Sequence, residues 1–164
     1  MRQISNSNFI TKYYLYKKTI YNIAFTYVHN SFDAEDIVQD VFMKYLNSNE
    51  TFQTLDNERF WIVRVTINTA KSYLRKTWKQ RVVLNDDIVN NVEAKDDVVN
   101  NEMFEIVCSL PHKYKEVILL YYYENMKIND ISKTLNITES NVKKRLERAR
   151  NLIKEKEIKN GLFR

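Results

Sequence analysis

One glycine, one proline and one cysteine stand in a chain of 164 residues, and each scarcity excludes something. Gly161 and Pro111 are too few to punctuate a sheet, because hairpin turns lean on glycine for positive φ. An all-β or α/β chain is therefore excluded, and all-α is the class that remains. Cys108 cannot close an internal disulfide, and no second cysteine stands near His29 or His112 to suggest zinc. It reads as a small buried hydrophobe, and the chain is expected to be cytoplasmic and reduced. The longest apolar run, Val117 to Tyr123, has seven residues, three of them Tyr, far short of a bilayer span. The first residues, MRQISNSNFITKYYLYKK, carry no apolar signal-peptide core, so no membrane insertion is expected. There is no Gly-rich phosphate loop, no metal-ligand spacing and no convergent acid–base set, which speaks against an enzyme, a metal or a cofactor.

What is present is charge, unevenly placed. The formal net charge is +5 and the pI about 9.1, which makes a polyanionic partner plausible. Asn, Lys, Ile and Tyr are abundant, a bias that an AT-rich genome also produces. Residues 1–81 carry +5 and residues 99–164 carry +4, while residues 82–98 carry −4, with Asp86, Asp87, Glu93, Asp96 and Asp97 against Lys95 alone. An acidic seam between two basic blocks marks a domain boundary and a flexible linker, or a segment that imitates nucleic acid in a basic channel. The expected organisation is two small helical domains, 1–81 and 99–164, joined by an acidic linker at 82–98.

The first domain reads as three helices. Phe9 to Val28 carries Tyr13, Tyr16, Ile20, Ile23, Ala24, Tyr27 and Val28 at helical spacing, the aromatics reading as core. Asp33 then stands where a cap is wanted, with Glu35 and Asp36 in a first turn that favours anions. Ala34, Ile37, Val38, Val41, Phe42, Tyr45 and Leu46 follow without a gap in the helical period. The opposite face shows Glu35, Asp36, Gln39 and Asp40, an ordinary solvated face or an acidic docking surface for a protein. A polar stretch, Asn47 to Asn57, reads as a long loop. The third helix has an inner stripe of Phe60, Val63, Ile67, Ala70 and Leu74. Its other side runs Arg64, Asn68, Lys71, Arg75 and Lys79, with Lys76 and Arg81 beside it and Trp61 and Trp78 on its margin. No acid occurs between Arg59 and Asn85. A solvated helix face normally mixes signs, whereas a basic stripe edged by aromatics suits a nucleic-acid backbone and bases that can stack.

The second domain opens with a short helix, Asn101 to Leu110, and a break at Ser109-Leu110-Pro111, with Pro at a helix start. A largely apolar helix follows to Glu124, using Tyr114, Val117, Ile118, Tyr121 and Tyr122. The next stretch fits a helix-turn-helix. Ile131, Leu135, Ile137 and Val142 hold the apolar positions, and Ser132 the small one where helices cross. Asn136 stands at the turn that wants φ > 0, and Thr138 stands as N-cap of the last helix. That helix places Val142, Leu146, Ala149 and Ile153 on one stripe, with Lys143, Lys144, Arg145, Arg148 and Arg150 on or beside the others. From Asn136 to Arg164 nine Lys/Arg face four Asp/Glu. Such a helix suits the DNA major groove, and a solvated amphipathic helix is the alternative.

Taken together, these motifs resemble the bacterial RNA polymerase sigma factors, in particular their two-domain extracytoplasmic-function class, over nearly all of Phe9 to Lys156. DAEDIVQDVFMKYL looks like the core-polymerase-binding helix, and FWIVRVTINTAKSYLRK like the helix that melts and reads the minus-ten element. LPHKYKEVILLYYYENMKINDISKTLNITESNVKKRLERAR looks like the domain that reads the minus-thirty-five element. The resemblance implies that Glu35, Asp36, Gln39 and Asp40 contact the coiled coil of the largest polymerase subunit. It implies that the loop Asn47 to Asn57 captures a base flipped from the non-template strand, and that Trp61, Arg64, Asn68, Lys71, Arg75 and Lys76 melt promoter DNA and hold the single strand. It implies that the acidic linker threads the polymerase interior toward the RNA path. On the last helix it implies base-edge contacts for Lys143, Lys144, Glu147 and Arg148, and phosphate contacts for Ser140, Asn141 and Arg145. An anti-sigma partner is expected on the same ground. This chain departs from the family in having Asn125 and Asn136 where Gly is common, and Lys127 where a capping hydroxyl is common. The rival readings are a stand-alone helix-turn-helix repressor or activator, and a helical adaptor that binds protein only.

Overall fold

The computed structural model describes residues 5–84 and 102–161, without the side chains of 81–84, and every regular element among them is a helix. The chain divides into two compact units, 1–95 and 96–164. The linker expected at 82–98 lies largely outside the described residues; its first residues, 82–84, continue a helix.

The N-terminal unit is a bundle of α1 (Asn6–Val28), α2 (Ser31–Asn47) and α3 (Leu55–Leu84), each packed on the other two. Its core sets the all but inaccessible Ile20, Ile23, Ile37, Val38, Val41, Ile62 and Val63 beside the buried rings of Tyr16, Phe25, Tyr27, Phe42 and Tyr45. The stripe expected on α2 is buried from Ala34 through Tyr45, with Leu46 half-buried. On α3 the inner face is made by Ile62, Val63, Thr66, Ile67 and Ala70; Phe60 and Leu74, expected in the core, are only half-buried. Thr26, Thr66 and Thr69 are tolerated in this interior because each hydroxyl donates to a carbonyl three or four residues back.

The start of α2 differs from expectation. Asn30, not Asp33, is the N-cap: its Oδ1 accepts the Asp33 backbone N–H at 2.8 Å, while its Nδ2 donates to Asp33 Oδ2 at 2.7 Å. This is a reciprocal box in which the acid sits at the third helical position, where it also meets the helix dipole. The helix therefore begins at Ser31, leaving Phe32 exposed. The connection to α3 is also shorter than the polar run suggests, spanning residues 48–54. Thr54 ends it, its Oγ1 accepting the Asn57 N–H at 3.1 Å.

The C-terminal unit comprises α4 (Glu102–Cys108), α5 (His112–Ile118), α6 (Ile128–Leu135) and α7 (Glu139–Lys159). Pro111 is the N-cap of α5 rather than its first residue. The apolar segment after it buries Val117, Ile118, Leu119 and Leu120, whereas Tyr121 is half-buried and Tyr122 exposed. The expected single helix to Glu124 instead widens into a π-helical turn at Leu119–Tyr123, closed by the bond from Glu124 N–H to the Leu119 carbonyl. Asn125 follows with φ 52°. Asn136, at φ 54°, makes the turn between α6 and α7, and the Ile137 N–H returns to the Ser132 carbonyl at 3.0 Å. Both positions are left-handed, and asparagine is the residue other than glycine that most readily adopts that conformation.

Candidate nucleic-acid and polymerase interfaces

The acidic face of α2 is built by exclusion. Once Ala34, Ile37, Val38, Val41, Phe42 and Tyr45 are turned inward, Glu35, Asp36, Gln39 and Asp40 fall on the outer face, and all four are exposed. Among the contacts that tie this helix to α3, two lie toward its acidic face. Tyr73 donates to Asp33 Oδ1 at 2.5 Å, and Lys44 Nζ donates to Thr69 Oγ1 at 2.8 Å. Burial raises the Tyr73 phenol well above its ordinary value, and the bond to Asp33 and the charges of Asp33, Asp36 and Asp40 add to the shift. The hydroxyl is thus held as a donor.

On α3 the cationic side chains fall opposite the core. Arg64, Asn68, Arg75 and Lys76 are exposed; Lys71 is half-buried. Arg75 Nη2 is steadied by Ser72 Oγ at 3.0 Å. Lys79 is exposed, and Trp78, beside it, is 70% exposed, an unusual state for so large an apolar ring. Trp61 differs: half-buried, it sits 6.2 Å from the Tyr45 ring and 5.7 Å from the Phe52 ring, packing the loop of residues 48–54 onto the bundle.

The end of the bundle that roots this loop holds a residue the sequence pattern did not single out. Glu58 is 4% exposed, and its carboxylate accepts from three side chains. Lys12 Nζ at 2.5 Å and Tyr16 OH at 2.9 Å reach Oε2, and Tyr45 OH at 2.6 Å reaches Oε1. The partners lie 46, 42 and 13 residues away in the chain, so no local spacing announces them. A signal was nevertheless available: Tyr16 and Tyr45 both fall on core stripes, and a buried phenol needs a partner. Burial pushes the Glu58 carboxyl upward, but the bonds from Lys12, Tyr45 and Tyr16 and the Lys12 charge outweigh it and leave it below its ordinary 4.5. A depressed carboxyl contributes stability that is complete above the unfolded-state value and is lost as pH falls through the folded one. Native protein is expected to lose stability in the N-terminal unit through that acid window, while Glu58→Gln, weaker at neutral pH, converges on it. Denaturant titrations followed by tryptophan fluorescence at successive pH values measure the gap.

In the C-terminal unit α6 and α7 present the second cationic face. Thr138 Oγ1 caps α7 by accepting the Asn141 N–H at 3.1 Å. Lys127 precedes α6 with no side-chain cap; Asn129 Nδ2 instead ties this helix to Glu139 Oε1 at 2.8 Å. Ile131, Val142, Leu146 and Ala149 form the shared core, and Leu135 and Ile137 are half-buried at its edge. With that stripe inward, Ser140, Lys143, Lys144, Glu147 and Arg148 all face out. Asn141 and Arg145 are half-buried and paired, Arg145 Nε to Asn141 Oδ1 at 3.2 Å. Arg150 turns away from this face: its Nε donates to Tyr122 OH at 2.7 Å, and its guanidinium lies 5.6 Å and 5.8 Å from the Tyr122 and Tyr121 ring centres.

The described residues thus carry two basic helical faces, one on a bundle that also has an acidic face and one on a helix-turn-helix. The comparisons with known proteins agree. Residues 13–80 match the model of Sigma-70 region 2, and residues 101–153 match that of Sigma-70, region 4. The chain is 34% identical over 140 residues to RNA polymerase sigma factor SigV of Bacillus subtilis, covering 85% of this chain and 84% of the relative. It is 30% identical over 159 residues to the ECF RNA polymerase sigma-E factor of Haemophilus influenzae, covering 86% and 82%. Its fold matches the sigma factor RpoE of Bartonella quintana, solved in complex with the anti-sigma factor NepR, with a TM-score of 0.75 at 20% identity, covering 90% of this chain and 94% of that one. The chain belongs to the sigma-70 family of RNA polymerase sigma factors, in the extracytoplasmic-function class. It is a promoter-specificity subunit for core RNA polymerase, and the stand-alone regulator is not favoured. Among the described residues no helix is long and apolar enough to cross a membrane.

Proposed function

We propose the following division of labour among the surfaces. The domain at 1–81 docks on core polymerase through Glu35, Asp36, Gln39 and Asp40, opposite a basic stretch of the largest subunit. Trp61, Arg64, Asn68, Lys71, Arg75 and Lys76 meet the minus-ten region, where the cations take the backbone of the opened strand. The loop of residues 48–54 receives a flipped base, and the acidic linker at 82–98 runs through the polymerase interior. The domain at 99–164 reads the minus-thirty-five element, with Lys143, Lys144, Glu147 and Arg148 at base edges and Ser140, Asn141 and Arg145 at phosphates. The chain supplies no catalytic group; the polymerase performs the chemistry in the cytoplasm. Two solved neighbours are complexes, the sigma factor RpoE with the anti-sigma factor NepR and CnrH with the cytosolic domain of CnrY, and this chain is proposed to have an anti-sigma partner of its own.

The observation that carries this reading is the segregation of charge on one helical bundle. The exposed face of α2 holds Glu35, Asp36 and Asp40, while α3 beyond Glu58 has no acid, and the two are locked by Tyr73–Asp33 and Lys44–Thr69. An acidic face repels DNA and suits a basic protein surface, so the two faces take different partners. Run-off transcription with purified core polymerase on genomic fragments tests the whole reading; absence of any specific start sinks it. Two variants separate the roles. Lys144→Ala is expected to weaken use of the cognate promoter by about ten- to a hundredfold, with little effect on unrelated DNA. Asp40→Ala is expected to weaken core binding while promoter preference stays as it was. Identical behaviour of the two contradicts the assignment.

A further inference from the structure

The loop of residues 48–54 is fastened at both ends to one buried cluster. At its start, the Ser48 N–H bonds to the Tyr45 carbonyl at 3.3 Å, closing the last turn of α2. At its end, the Glu58 N–H bonds to the Thr54 carbonyl at 3.2 Å, opening α3. Tyr45 and Glu58 are themselves joined, hydroxyl to carboxylate, at 2.6 Å. The middle of the loop enters the same construction through rings: Phe52 lies against Trp61, and Trp61 against Tyr45. Around this root Asn49, Glu50, Thr51, Gln53 and Thr54 are exposed, a polar rim on a fixed base.

Stability alone is a poor reason for a carboxylate here. A buried ion pair is often matched or bettered by apolar groups of similar volume, because desolvation offsets much of the attraction. What an apolar side chain cannot do is hold two phenols and an ammonium group at set directions. Lys12 and Tyr16 bring α1 to Oε2, and Tyr45 brings α2 to Oε1, so one residue at the head of α3 fixes three helices where the loop departs.

We infer that Glu58 is a positioning residue for base capture: through Tyr45, Trp61 and Phe52 it presents the polar rim of the loop to the extruded base without touching DNA itself. This rests on the proposed role of the loop. A polar pocket discriminates by donors and acceptors held in place, and a small displacement of the rim loses that selectivity. The relaxed loop then fails at the step where a flipped base must be trapped, while docking on polymerase and the groove contacts of the other unit persist.

The full-length protein with core polymerase tests this on a promoter fragment it uses, in two forms. One is fully duplex; the other has the minus-ten region pre-opened by altering the template strand only. Glu58→Gln is expected to lower run-off from the duplex about tenfold, the scale of a lost charged hydrogen bond. On the pre-opened fragment it is expected to restore the native level, with core binding unchanged. A 2-aminopurine at the captured position is expected to lose its fluorescence response in the same variant. Tyr45→Phe keeps the ring and removes one bond, and is expected to follow the same pattern more weakly; it decides by the same criteria should Glu58→Gln not fold. An equal loss on both fragments overturns the proposal, since that is what a merely structural residue gives. If Thr51→Gly with Gln53→Gly impairs the duplex while Glu58→Gln matches native protein, positioning is overturned and the loop's role stands. If the loop variant itself has no effect, the role of the loop falls, and positioning with it.

Discussion

Leu146→Ala is expected to unfold the C-terminal unit and leave the N-terminal unit standing. Leu146 is 1% exposed, set between Val142 and Ala149 on α7 in the core shared with Ile131 of α6. Truncating such a leucine removes its transfer energy and leaves a cavity, together about 3 kcal/mol or more. A core the size of this one supplies roughly 3–5 kcal/mol in all, so the loss consumes most of it. Both tryptophans, Trp61 and Trp78, belong to α3. Tryptophan fluorescence therefore reports the N-terminal unit alone, and its denaturation midpoint is expected to stay where it was. Far-ultraviolet circular dichroism, which sees every helix, is expected to show the missing fraction before denaturant is added. Core binding, assigned to α2, is expected to survive; specific starts are not. Coincident loss of both signals would show that the two units fold as one.

The second large effect is electrostatic. Replacing Arg64, Lys71, Arg75 and Lys76 together by alanine is expected to weaken the open promoter complex by roughly a hundredfold or more at physiological salt. Each neutralised phosphate releases condensed counterions, so the variant's dependence on salt should also flatten, the slope of log K against log salt falling by about 3 for four single-strand contacts. The core is spared, because Arg64, Arg75 and Lys76 are exposed and Lys71 is half-buried, none of them among the buried side chains. Binding titrations of the holoenzyme across a salt series distinguish the outcomes. A drop in affinity with an unchanged slope would mean that the four residues act by shape and not by meeting phosphates.

How much was legible before the fold was seen differs from element to element, for physical reasons. Helices announce themselves by period, so α1, α2 and α7 stand close to where their stripes placed them, and Asn136 and Thr138 do what their side chains suit them to do. The start of α2 was misread because Asp33 is both a good cap and a good third-position acid. Only the bond pattern, with Asn30 accepting from Asp33, tells which role it takes. Charge on the outer faces was readable because nothing inside competes for it. Glu58 was not, because its three partners come from two other helices and only the packed bundle brings them together. Nor was the π-helical turn, since LLYYY is apolar throughout and gives no register by which to notice an extra residue. Tyr122, read as part of that largely apolar helix, lies outside, bonded to Arg150.

That turn has a consequence for the geometry of reading. A π-helical turn amounts to one residue inserted into an α-helix without breaking it. At 3.6 residues per turn, one residue is about 100° of rotation. The chain leaves this turn at Glu124 and reverses at Asn125, φ 52°, so the turn sets where the segment leading to α6 departs from the end of α5. A deletion of one residue within Leu119–Tyr123 would let the segment rewind as ordinary α-helix, and Asn125 would then leave in a different direction. The direction from which α7 would present Lys143, Lys144, Glu147 and Arg148, proposed above for base edges, thus depends in part on a turn that carries none of them.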